Sequence, residues 1–103
     1  MKVQRVKYER TGGFAGMRLS ADFEPDDLPE EQARSLLELL DDMDFDELPE
    51  QLTGSSSMPD QFTYQITVRG KNREHTVITG DESAPEKMQE LIRLLDRIAK
   101  RKP

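Results

Sequence analysis

His75 is the single histidine of a 103-residue chain that has no cysteine and no tryptophan, so few side chains here carry reactive chemistry. Glu74 and Thr76 flank it, but neighbours in an extended segment point to opposite faces. No Cys–His pair, Gly-x-Ser-x-Gly elbow, P-loop or dinucleotide fingerprint accompanies it. His75 therefore reads as a strand residue that meets solvent or a hydrogen-bond partner. Ser55, Ser56 and Ser57 offer hydroxyls, yet they lie in a low-complexity run with no base beside them. Asp42, Asp44 and Asp46 fit the first three ligand positions of a calcium loop. Glu47 then stands where that loop needs glycine, and Thr53 where it needs a bidentate glutamate. The acids read as a solvated helix terminus. No enzymatic activity, metal or cofactor is expected.

What remains is the chemistry of contact. Thr11-Gly12-Gly13-Phe14-Ala15-Gly16 sets three glycines around one large aromatic, between two segments that alternate like β-strands. A hairpin that only reverses direction needs about two residues, so a longer loop with a central aromatic points to a second role. Glycine takes positive φ without penalty and lets a backbone come close to another surface. Phe14 has two readings on these grounds. It folds back and caps the end of the core, or it stands exposed as an anchor for a partner.

Hydrophobic residues make up 34% and charged residues 35%, a polar composition whose apolar positions still recur periodically, which argues against wholesale disorder. One domain over residues 1–103 is expected. The net charge of −6 is unevenly spread: residues 22–50 hold 13 acids against Arg34 alone, and residues 1–18 hold five bases against Glu9. Arg93, Arg97, Lys100, Arg101 and Lys102 make the C-terminal stretch basic around Asp96. The acidic total argues against nucleic acid as a main partner, and the basic end has no interleaved aromatic for base stacking. There is no apolar run of signal-peptide or membrane-span length. A cytoplasmic protein, monomeric and without nucleic-acid or membrane partners, is expected.

The elements that must position these residues follow from periodicity. Val3 to Arg10 reads as a strand with Val6 and Tyr8 on one face. Met17, Leu19, Ala21 and Phe23 alternate with polar residues as its hairpin partner. Pro29 opens a helix with Glu30 and Glu31 in its first turn. Ala33, Leu36, Leu37 and Leu40 are its apolar stripe, extended by Met43, and the acidic segment from Asp41 to Glu47 ends it. Leu48, Pro49 and Leu52 tack a connector onto the core, and residues 53–59 form a loop. Phe62, Tyr64, Ile66 and Val68 mark a third strand, Gly70-Lys71-Asn72 a turn, and Arg73 to Thr79 a fourth strand. Ser83 and Glu86 have capping-box spacing. Met88, Leu91, Ile92, Leu95 and Ile98 form the stripe of a final helix, with Asp96 and Lys100 as an i, i+4 pair. The fold class is α+β, ββαββα, a four-stranded antiparallel sheet with two helices on one face.

Arg10 to Leu19, inside this strand-loop-strand, resembles the opening of the emfourin family. So do Asp60-Gln61-Phe62-Thr63-Tyr64-Gln65-Ile66-Thr67-Val68, His75-Thr76-Val77 and the terminal helix containing Leu91-Ile92. Emfourins are small cytoplasmic-type bacterial proteins that inhibit protealysin-like members of the thermolysin family of zinc metallopeptidases. The resemblance implies a protein inhibitor with such a protease as partner, and a protease-binding loop of Thr11, Gly12, Gly13, Phe14, Ala15 and Gly16. Thermolysin-like enzymes favour a large apolar side chain just after the scissile bond. Phe14 presented to that pocket is a hypothesis about these residues, not a role carried over from the family. The competing expectation is a non-enzymatic interaction domain that binds a basic partner through its sheet face or acidic middle.

Overall fold

The computed structural model of the protein describes residues 3–12, 18–52, 62–80 and 85–101. Its elements run β1 (Val3–Gly12), β2 (Leu19–Phe23), α1 (Glu30–Asp42), β3 (Gln51–Leu52), β4 (Phe62–Gly70), β5 (Glu74–Gly80) and α2 (Glu86–Arg101). This is the expected ββαββα order with the short β3 added between α1 and β4. The described strands form one sheet in the order β2-β1-β4-β5-β3. The four long strands are antiparallel, and β3 lies parallel to β5 at the edge. The two hairpins thus meet through their first strands, β1 on β4, which leaves β2 at one edge.

Alternation decides the faces. Val6, Tyr8, Ala21, Phe23, Tyr64, Ile66, Val68 and Val77 are buried on the inner face. Against them α2 lays Met88, Leu91, Ile92, Leu95 and Ile98, the whole stripe that its helical period predicts. Pro29 stands at the N-cap of α1, one place before its expected position as the first helical residue. α1 contributes Leu36 and Leu40, with Met43 partly buried. Leu37, expected in that stripe, is 40% exposed, and Leu39 packs on the core. At about 100° per residue, Leu36, Leu39, Leu40 and Met43 share one side and Leu37 falls on its shoulder.

Two local irregularities shape the rest. Asp44, with φ of 48°, turns the chain out of α1 into a single 3-10 turn, Phe45–Glu47, which buries the Phe45 ring. In β1, Val3 pairs with Gly70 and Arg5 with Arg69, so Gln4 is an extra, bulged residue. The bulge reverses the facing of the strand, and Val3 packs on the same core as Val6.

Candidate functional site

The glycine segment begins inside the sheet. Arg10 pairs with Leu19 of β2 on one side and Tyr64 of β4 on the other. Thr11 and Gly12 continue onto Thr63 and Phe62 of β4 and, among the described residues, pair with β4 alone. These two residues, expected in a loop, are therefore the last two of β1. Gly12 has φ of 108°, where a Cβ would clash. Gly13, Phe14, Ala15 and Gly16 lie outside the described residues, as do Met17, the serines at 55–57 and Ser83.

A polar strut from α2 holds this end of β1. The Tyr8 hydroxyl donates to Asp96 Oδ1 at 2.5 Å, and Arg10 Nη1 donates to Asp96 Oδ2 at 3.0 Å. The Arg10 and Asp96 side chains are only 20% and 21% exposed, so this pair is screened less than a surface ion pair. Hydrogen bonds to an ionised acceptor are roughly twice as strong as neutral ones. The Arg10 guanidinium carbon lies 4.7 Å from the Phe62 ring centroid, in cation–π range. Phe62 tilts against Tyr64, and Tyr64 stacks with Tyr8, at centroid distances of 6.4 and 6.5 Å. Burial first, and then the hydrogen bond to Asp96, push the Tyr8 phenol well up from its ordinary range. Tyr8 is therefore held as a neutral donor. Periodicity suggests Lys100 as the partner of Asp96. The carboxylate reaches across to β1 because position 96 lies on the flank of the buried stripe, next to Leu95.

His75 has the hydrogen-bond partner its position suggested. Nε2 lies 2.7 Å from the Leu48 carbonyl, which only accepts, so this nitrogen carries the proton. The imidazole meets Phe45 edge to face at 5.7 Å. Together they fasten the connector after α1 to β5, and Ile78 N–H donates to the Glu50 carbonyl at 2.7 Å beside them. Two acids of the middle segment pair with distant bases, Asp42 with Lys87 and Asp46 with Arg73, each at 3.5 Å. Among the described residues, no group of three or more histidines and carboxylates is placed to hold a metal. No helix among them is long and apolar enough to cross a membrane.

Two of the open depressions among the described residues are lined largely by polar and charged side chains. One, about 460 Å³, lies over the outer sheet face beside Lys7, Glu9, Ser20 and Gln65, and the Arg18–Glu9 ion pair of 2.7 Å borders it. The other, about 720 Å³, is a groove along α1 lined by Val3, Leu37 and Leu40 and by the carboxylates Asp26, Glu38, Asp41, Asp44, Asp46 and Glu47.

His75 and the paired acids thus serve the fold, and what the sheet and helices offer a partner is surface: the class is a protein that works by contact. The Emfourin family model matches residues 8–96, and the chain belongs to the emfourin family. Members of that family are peptidase inhibitors, not enzymes. No curated protein matches the chain. Among solved structures it is similar to Emfourin (M4in) from Serratia proteamaculans, an M4 family peptidase inhibitor. The two share 21% sequence identity over 86% of this chain and 85% of that chain, with a TM-score of 0.47.

Proposed function

We propose that this protein inhibits a thermolysin- or protealysin-like zinc metallopeptidase by inserting the segment Thr11–Gly16 into the active-site cleft. Family membership supports the inhibitory role. The observation that favours this segment is the anchored end of β1, where Thr11 and Gly12 pair with β4 on a strand fastened to α2. Gly12, Gly13 and Gly16 keep the backbone slim enough to approach a narrow site. Phe14 fills the pocket that takes a large apolar side chain after the scissile bond. A binding segment anchored in advance loses less entropy on association. The segment contains no His, Cys, Asp or Glu, the usual zinc ligands, so occlusion rather than metal capture is the mechanism. The protein acts in this reading as a single cytoplasmic domain and a monomer.

Titration of a purified thermolysin-like enzyme tests this, with stoichiometric loss of peptidase activity as the expected result. Phe14→Ala and Gly13→Val each weaken inhibition at least tenfold, about 1.4 kcal/mol, while the fold is retained. Unchanged inhibition by folded Phe14→Ala protein retires the anchor. A second reading, an interaction protein for a basic partner, is favoured by the acidic groove along α1 with its exposed Leu37. Failure of the intact protein to inhibit leaves that reading standing.

A further inference from the structure

We infer that Asp96 is a positioning residue for the inhibitory segment: from α2 it fixes the end of β1 that carries Thr11 and Gly12. The functional half of this inference rests on the inhibitor reading above, and the structural half rests on geometry alone. Among the described residues, Thr11 and Gly12 pair with β4 and not with β2. Backbone paired on one side opens locally more easily than backbone in the middle of a sheet. Gly12 and Gly13 have no side chains to pack, and glycine has the most conformational freedom to lose. The side chains just before Thr11 and Gly12 are therefore the ones placed to stiffen this end of β1.

Tyr8 and Arg10 are those side chains, and both end on one carboxylate. Residues two apart in a strand share a face and stand roughly 6–7 Å apart. A carboxylate that gives one oxygen to each spans two consecutive inner positions of β1. Apolar packing alone would tolerate small slides of the strand, whereas two hydrogen bonds with directional requirements do not. The strut also extends to the strand beside Gly12. Arg10 lies over the ring of Phe62, and Phe62 is the residue paired with Gly12. Asp96 thus reaches Gly12 through Arg10 and Phe62.

The test compares Asp96→Asn, which keeps the shape but removes the charge, with Leu36→Val, a core truncation on α1. Both are read by inhibition of thermolysin and by amide hydrogen exchange at Thr11 and Gly12 relative to Val6. Asp96→Asn is expected to weaken inhibition about tenfold and to speed exchange at Thr11 and Gly12, while Leu36→Val changes neither. Wild-type behaviour of Asp96→Asn overturns the inference. So do equal effects of Leu36→Val in both measurements, which reduce Asp96 to a generic stabiliser, and faster exchange without weaker inhibition. If the intact protein does not inhibit, the inhibitor reading falls, and exchange at Thr11 and Gly12 alone decides the positioning role.

Discussion

Two regions of the molecule are secured by opposite means. At the C-terminal end of β1, Tyr8 and Arg10 hold a glycine-rich stretch through directional bonds to Asp96. After α1, an acid-rich connector is held onto β5 by a buried aromatic, Phe45, and by one histidine bond to a backbone carbonyl. Each region imports what its own stretch of sequence lacks. Glycines supply no side chains, so the end of β1 takes a carboxylate from a helix far along the chain. The middle segment is nearly all charge, so a single ring supplies its burial. Apolar burial is large and non-directional, while a hydrogen bond adds about 1 kcal/mol net but fixes geometry. The first region is built for placement and the second for stability.

Phe45→Ala is the strongest challenge to that division. It should cost about 3–5 kcal/mol in chemical denaturation, as loss of a buried aromatic does. The folded fraction should inhibit a thermolysin-like peptidase as the wild type does, and parallel loss of inhibition would show that the two regions are not separable. His75→Ala removes the Leu48 bond and the edge contact with Phe45, with an expected loss of about 1–2 kcal/mol read by the same denaturation and no effect on inhibition.

Tyr8→Phe gives the smallest effect and the sharpest one in pH. The phenol is raised in the folded protein by burial and by Asp96, while the unfolded chain titrates near pH 10. Below about pH 10 both states keep the proton and its contribution is constant. Above that, the unfolded chain releases the proton that the folded one retains, so stability falls as the pH rises. Urea denaturation between about pH 8 and pH 11 should show this decline in the wild type and a shallower one in Tyr8→Phe.

Most of the fold was legible because it rests on period. The alternation at Val6, Tyr8, Ala21, Phe23, Tyr64, Ile66 and Val68, and the α2 stripe, depend only on which side of an element faces the core. Leu37 was misplaced because a run of adjacent leucines leaves the phase of the stripe open by one residue. Phe45 was hidden by its acidic neighbours, since no period marks a single ring buried by a 3-10 turn. At the site, Gly12 with φ of 108° uses the conformational freedom of glycine inside β1, and the rest of the glycine segment lies outside the described residues. That Thr11 and Gly12 still belong to β1 was not legible, because neither carries an apolar side chain to continue the alternation. The strut was missed for a different reason. Tyr8, Arg10 and Asp96 are ordinary in their local contexts, and only the packing of α2 on the sheet makes them neighbours. A charged residue flanking a buried stripe, as Asp96 flanks Leu95, was the one available signal.

The extra residue at Gln4 bears on how far the chain reaches. From Arg5 to Gly12 the register of β1 on β4 runs without a break. A slip of one place would have to carry the bulge along and turn Val6 and Tyr8 out to solvent. Gln4 therefore works as an index mark from which the strand is counted out. An insertion between Arg5 and Gly12 would advance the point of departure by one residue, about 3.3 Å. The same insertion before Gln4 would be absorbed upstream of the mark and leave that point where it is.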